Sequence, residues 1–287
     1  MSSIVVIAHH GRADAWALAN TTIRSLRDRG HVAWMPADEA AVCGLDDLAI
    51  DAAAAEADLV LSLGGDGTML RAVNLLDGAP VPLLGVNLGR LGYLTEVEAD
   101  HVTEALARFE AGSQAGQWQL DERMMLDVSV IGADGAAGGT WRALNEAVVE
   151  KCESGHTVNL LVRIDGEPFT SYAADGLIVS TPTGSTAYSL SARGPIMSPK
   201  HRALLVTPVA PHTLFDRSLV LDPSETVDVE VLGDRQASVA VDGRPMCTLG
   251  TGAQVRCVPS AATARFIRFG AHHYHQVLKA KFGLTDR

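Results

Sequence analysis

Short apolar runs and amphipathic segments take turns along residues 4–110, and after Leu120 the apolar positions fall instead at every second residue. The first pattern predicts buried strands joined by helices; the second predicts half-buried strands. Residues 4–7 read as a first strand, followed by the loop His9-His10-Gly11-Arg12 and a helix over 13–28 with Trp16, Leu18, Ile23 and Leu26 on its apolar face. Residues 31–35 form a second strand and the alanine-rich stretch 46–57 a helix. A third strand (59–63), a helix (68–76), a fourth strand (80–87) and a helix (102–110) complete an α/β N-terminal domain. Segments 126–130, 158–164, 227–231 and 238–241 are alternating or β-branched and separated by Gly, Asp and Pro turns, which predicts an all-β sandwich C-terminal domain. The boundaries fall at 1–118 for the α/β domain, 119–258 for the sandwich and 259–287 for a last segment.

Composition narrows the partners. The 287 residues are 47% hydrophobic and 20% charged, enough for two buried cores and too apolar for disorder. A net charge of -11 argues against a nucleic-acid surface, so an anionic ligand has to meet locally concentrated cations. Residues 1–8 carry no basic leader and read as a strand, not a signal peptide; no apolar run is long enough for a bilayer. Cys43, Cys152, Cys247 and Cys257 are scattered, without a Cys-x-x-Cys pair, and point to reduced thiols in the cytoplasm.

The candidate chemistry centres on residues 59–95. A buried strand, Leu59-Val60-Leu61-Ser62-Leu63, runs into Gly64-Gly65-Asp66-Gly67-Thr68, placing a glycine loop where open α/β sheets bind ligands. Glycines allow close approach of a ligand to the main chain and φ > 0 turns. Asp66 is the only charge in the loop. A carboxylate among amides that suit phosphate either accepts a proton from a hydroxyl, holds a metal ion, or is a plain helix-start residue. Arg71, one turn on, can reach back towards a phosphate or stay solvated. Tyr93, beside two glycines, can lie against a base. Asn145 and Glu146 are neighbours, so they share one ligand only at a strand end or bulge. Residues 175–191 crowd hydroxyls and glycines together, suited to ribose and phosphate or to turns and caps, with Tyr188 able to stack on adenine. His272, His273 and His275 read as a tail rather than a metal site.

Gly64-Gly65-Asp66-Gly67-Thr68, Asn87-Leu88-Gly89-Arg90-Leu91-Gly92-Tyr93-Leu94-Thr95, Asn145-Glu146 and the run from Asp175 to Tyr188 with Thr181-Pro182-Thr183-Gly184-Ser185-Thr186-Ala187, in that order, resemble the NAD kinase family. The resemblance implies an α/β domain, a β-sandwich and a tail returning to the first domain, the fold shared with diacylglycerol kinase-like enzymes. It implies phosphoryl transfer from ATP or polyphosphate to the 2′-hydroxyl of the adenosine ribose of NAD, with Asp66 as proton acceptor and a divalent cation, Mg²⁺, on the donor phosphates. It also implies NAD or nucleotide contacts at Gly65, Asp66, Gly67, Arg71, Asn87, Tyr93, Asn145, Glu146, His156, Ala173, Asp175, Thr183, Thr186, Ala187, Tyr188, Ser189, Ser191 and Arg244, and a homodimer or homotetramer. No protein metal ligands are assigned. Two departures stand out: Arg193-Gly194-Pro195 where the family has Gly-Gly-Pro, and Arg244 where it carries an amide. The rival readings are a non-catalytic NADP(H)-binding sensor and a lipid or sugar kinase sharing the Gly-Gly-Asp-Gly loop.

Overall fold

The computed structural model describes residues 1–89, 92–270 and 274–284, so Arg90, Leu91, His272 and His273 lie outside the described residues. The chain divides into two units, residues 1–122 with 264–287, and residues 123–263. An α/β layer forms the first and antiparallel sheets the second.

In the first unit, β1 (Ser3–Ala8), α1 (Ala13–Asp28), β2 (Val32–Trp34), α2 (Ala37–Cys43), β3 (Leu59–Gly64), α3 (Asp66–Leu76), β4 (Pro82–Asn87), β5 (Val97–Glu98) and α4 (Val102–Ala111) follow in order. The strands pair in parallel in the order β2-β1-β3-β4, with β5 on the far edge of β4. Parallel strands covered on their faces are apolar throughout, and every residue of β3 is buried. Helix α1 packs through Ala15, Ala19, Ile23 and Leu26, a spacing that keeps one stripe inward, while Trp16 and Leu18 flank it, only partly buried. Chain order reverses between β1 and β3, the switch point at which open sheets take ligands, and both the His9–Arg12 loop and the glycine loop leave from there.

One expected element is absent. Residues 46–57 form two short 3₁₀ turns, Asp46–Leu48 and Ala54–Glu56, and the helix lies earlier, at α2. Pro36 precedes α2, Asp38 and Glu39 occupy its first turn, and Gly44 ends it in the left-handed region. The amide of Met35 donates to Leu48 O and that of Ile50 to Met35 O, so this backbone extends the β2 edge and is not available to a helix.

The second unit holds most of β6 (Gln119–Ile131), then β7 (Ala137–Ala143), β8 (Glu146–Lys151), β9 (Val158–Ile164), β10 (Glu167–Ala174), β11 (Gly176–Ser180), the single turn α5 (Tyr188–Ser191), β12 (Leu204–Val209), β13 (Leu219–Leu221), β14 (Val227–Leu232), β15 (Ala237–Val241), β16 (Arg244–Leu249) and the start of β17 (Gln254–Arg268). Two antiparallel sheets result, β10-β9-β14-β17-β6-β7 and β13-β12-β11-β8-β15-β16. Their inward residues alternate: Val158, Leu160 and Val162 on β9, Val227, Val229 and Val231 on β14, and Ala237, Val239 and Val241 on β15 share one core. A sandwich follows from that alternation.

The closing residues of β17 belong to the first unit, where Arg265 and Phe266 pair in parallel with Pro82 and Leu83 of β4. Arg268, 1% exposed, donates to Leu94 O at 3.2 Å and meets Glu96 at 3.1 Å and Asp121 at 3.3 Å. Glu96 also accepts the Phe269 amide at 2.7 Å. A buried guanidinium ringed by carboxylates and carbonyls thus anchors the segment after the second glycine motif. The last helix of the unit is α6 (Tyr274–Lys281). No helix among the described residues is long and apolar enough to cross a membrane.

Removing one member of a buried, hydrogen-bonded ion network leaves its partners uncompensated, at a cost of about 3–5 kcal/mol. Arg268→Met is therefore expected to lower the urea midpoint by a corresponding amount, with Arg268→Lys intermediate; an unchanged midpoint in both would show that the network carries no stability.

Candidate active site

Asp66 opens α3 yet makes no cap to its own helix. Its Oδ2 accepts the Tyr93 amide and its Oδ1 the Leu94 amide, each at 2.9 Å. That disposes of the plain helix-start role, since both oxygens are turned towards the second glycine motif. Each carboxylate oxygen keeps lone-pair capacity for a further donor. Side-chain exposure of 31% leaves it within reach of a ligand.

The glycines matter for close approach rather than for φ. None of Gly64, Gly65, Gly67, Gly89 or Gly92 lies at positive φ. A β-carbon at Gly92 would collide with Asp66 Oδ1, and one at Gly64 with Thr68 Oγ1, so both positions exclude side chains. Gly65 and Gly67 face open space, as a loop that admits a ligand requires.

Two residues expected at the ligand are engaged within the fold. Arg71 donates to Ala8 O at 2.6 Å and to Glu39 at 3.1 Å, and His10 Nε2 stands 2.9 Å from the same Glu39 oxygen. Asn87, 3% exposed, donates to Glu98 at 2.9 Å and to Gly89 O at 3.1 Å, fixing the turn after β4. Arg12 pairs with Asp14. Lys281, at the end of α6, lies 4.0 Å from Asp66 Oδ2 and 4.5 Å from the Tyr93 ring centroid.

In the second unit, Asn145 and Glu146 stand at the corner where β7 passes into β8, the strand-end placement that lets neighbours share a ligand. Asp242, at φ 47°, builds that corner by accepting the amides of Leu144, Asn145 and Glu146 at 2.8, 2.8 and 3.1 Å. Burial, reinforced by the Asp242 charge, pushes the Glu146 carboxyl up to about 8 against a lowering by the Tyr188 amide. Burial also pushes Asp242 up, while its three amides and Arg244 oppose this. Charge-assisted hydrogen bonds contribute about 1.5–3 kcal/mol each, and three amides oppose protonation at Asp242 against one at Glu146, so Glu146 is the more readily protonated of the two. Glu146 Oε2 is buried without a hydrogen-bond partner, as expected of an atom awaiting one.

The hydroxyl-rich run divides. Thr181 donates to Leu144 O at 2.6 Å, Ser185 to Pro182 O at 2.7 Å, Thr186 to Thr183 O at 3.3 Å, and Ser189 pairs with Thr207 at 3.0 Å. These four shape the turn from Thr183 into α5. A β-carbon at Gly184 would strike the Asn145 carbonyl, so this turn lies directly against the Asn145–Glu146 corner. Tyr188, Ala187 and Ser191 are at least partly exposed, and burial raises the Tyr188 phenol, helped by Glu150, Asp175 and Glu146. Arg244 opens β16, two residues from Asp242.

The remaining expected residues stand elsewhere. Asp175 pairs with Lys151 at 2.6 Å, Ala173 is on β10, and His156 lines a polar cavity of about 500 Å³ with Lys151, Cys152, Glu153 and Arg235. At about 3.3 Å per residue, β8 sets Lys151 roughly 17 Å from Glu146. Lys151 and its partner Asp175 thus stand at the opposite end of β8 from Glu146, with the Tyr188 phenol acted on by both Asp175 and Glu146. His275 packs edge-on to Tyr274, and among the described residues no three His, Cys, Asp or Glu side chains converge as a metal cage.

Sequence reasoning passed over Gly92 as a contact, Asp242 as a corner builder, and Arg268 and Lys281 altogether. A paired Asp-Gly turn signals the second; the last two depend on chain returning from more than 170 residues away, in the case of Arg268 to Glu96, and carry no local signature.

Residues 6–114 match the family model described as the ATP-NAD kinase N-terminal domain and residues 144–269 the ATP-NAD kinase C-terminal domain. The chain is 37% identical over 300 residues to an NAD kinase of Nocardia farcinica, covering 98% of this chain and 91% of that one. Among solved structures, yeast NADH kinase complexed with NADH is similar at a TM-score of 0.89 and 23% identity, covering 100% of this chain and 89% of that chain. An NAD kinase from Archaeoglobus fulgidus in complex with ATP is similar at a TM-score of 0.70 and 22% identity, over 98% of this chain and 99% of that chain. At such identities the solved structures speak for the fold, while the family models and the Nocardia relative decide the lineage: this chain belongs to the ATP-NAD kinase family.

Proposed function

We propose that this protein transfers a phosphoryl group from ATP or polyphosphate to the 2′-hydroxyl of the adenosine ribose of NAD, producing NADP. The observation that carries this reading is the Asp66 carboxylate, presented by the Tyr93 and Leu94 amides at the sheet's switch point beside the open Gly65 and Gly67. The relatives named NAD kinase, and solved neighbours holding NADH and ATP, support the same substrates.

Phosphoryl transfer through a loose transition state asks for alignment and charge neutralisation more than covalent help. Asp66 accepts the hydroxyl proton as the 2′-oxygen approaches phosphorus; its two amide bonds stop it from rotating away. Asn145, Glu146, Thr183, Thr186, Ala187, Tyr188, Ser189, Ser191 and Arg244 supply NAD contacts from the second unit. Neutral Glu146 donates its proton to a ribose or amide oxygen, satisfying its unpartnered atom. Arg71 and Asn87 act at one remove, tying α2 to β1 and fixing the turn after β4.

The donor set suits a divalent ion delivered by substrate. Mg²⁺ keeps waters and binds through phosphates plus one or two carboxylates, and Asp66, with spare lone pairs and no cage around it, fits that role. When bound, the ion neutralises donor phosphate oxygens. Free thiols at all four cysteines accord with the cytoplasm. A homodimer or homotetramer completes the reading, because His156, Ala173 and Asp175 lie at the far end of β8 from Glu146 and a neighbouring copy can offer them to its partner.

Purified protein given NAD and Mg²⁺, with ATP in one reaction and polyphosphate in another, is expected to form NADP with at least one donor. NAD binding without product from either would favour a sensor. Asp66→Asn is expected to lower kcat by about 100-fold or more while NAD still binds, as for loss of a general base.

A pH effect follows from Glu146. Its folded pKa of about 8 exceeds the ordinary 4.5, so across that window the folded state keeps a proton that the unfolded state has released. Stability contributed by this group is complete below 4.5 and declines as pH rises through 8. Glu146→Gln is expected to flatten that decline in urea titrations at pH 5, 7 and 9; parallel profiles would show that Glu146 is ionised throughout.

A further inference from the structure

We propose that Lys281 is a catalytic residue of this reaction, supplying the positive charge that meets the transferring phosphoryl group beside Asp66. The inference rests on the kinase reading above and extends it to α6, a segment beyond residue 269, where the matched family model ends.

Among the described residues, Lys281 is a cation that stands directly beside Asp66. The glycine loop holds no cation, and the chain carries a net charge of -11. Arg71 is bound through Nη2 to Glu39 and Ala8 O, with its Nε buried and unpartnered, and Arg12 pairs with Asp14. Lys281 is placed otherwise. Its ammonium stands 4.0 Å from Asp66 Oδ2, beyond hydrogen-bond length, and 4.5 Å above the Tyr93 ring.

The helix explains how Lys281 arrives there. Tyr274 and Lys281 are seven residues apart, two turns of α-helix, and so share one face of α6. Tyr274, 8% exposed, packs against Tyr93 with ring centroids 6.1 Å apart, and Lys281 lies over the same ring. Tyr93 is also the residue whose amide holds Asp66 Oδ2. One aromatic side chain therefore sets the distance between the proton acceptor and the cation. The last turn of a helix, with its partial negative charge, suits a lysine.

In the reaction, the 2′-oxygen forms a bond to the γ-phosphorus of ATP while the bond from that phosphorus to the β,γ-bridging oxygen breaks. The electron pair of the broken bond leaves with ADP, and the hydroxyl proton passes to Asp66. Lys281 neutralises the non-bridging oxygens of the group in transit and stays beside the 2′-phosphate of the product. Rigid placement of such a charge is the main way proteins lower a barrier of this kind.

The test compares wild type, Lys281→Gln and Lys281→Arg in steady-state turnover with ATP, and in equilibrium binding of NAD and of NADP. Lys281→Gln is expected to reduce kcat by about 100-fold with little change in KM for NAD. Its preference for NADP over NAD is expected to drop about fivefold, in line with loss of a partly exposed charge pair. Lys281→Arg should recover part of both. Unchanged kcat and an unchanged binding ratio in Lys281→Gln would overturn the proposal, as would a loss of NAD affinity equal to that of NADP. Absence of turnover in the wild type would count against the kinase reading instead, and the binding ratio would still report on Lys281.

Discussion

The structure turns on one carboxylate held by two main-chain amides. Asp66 would be an ordinary helix-start acid if its oxygens met its own helix; instead they meet Tyr93 and Leu94, beyond α3 and β4. Several features exist to permit that grip. Gly92 leaves room for Oδ1, Asn87 sets the turn after β4, and Arg268 pins the carbonyl of Leu94 from behind. A carboxylate so fixed loses little entropy on meeting a hydroxyl, which is what positional catalysis requires.

The second unit uses the opposite device. There Asp242 accepts three amides, and its neighbour Glu146 is buried with an unpartnered oxygen. Burial and the Asp242 charge push the Glu146 carboxyl up, whereas Asp66 stays partly exposed on its two amides, so two acids of like kind meet different surroundings.

The sequence carries much of the fold openly. Period-two alternation marks β9 over 158–164, the very residues that pair with β10 and β14, because one face of that strand must enter the core. Residues 46–57 mislead because alanine favours helix in isolation, whereas Met35 claims the amide of Ile50 for the sheet edge. At the site, Gly-Gly-Asp-Gly announces Asp66 but says nothing of its amide donors. Arg71 is placed for a phosphate by its position one turn after the loop, while its bond to Glu39, 32 residues earlier, has no local signature. Arg268 and Lys281 act through long chain returns, which no local pattern encodes.

A crystal structure of the protein with NAD bound would show directly which hydroxyl meets Asp66. The 2′-hydroxyl of the adenosine ribose is expected within about 3 Å of an Asp66 oxygen, with the Tyr93 and Leu94 amides still in place. A nicotinamide-side hydroxyl at Asp66, or no hydroxyl there at all, would contradict that placement.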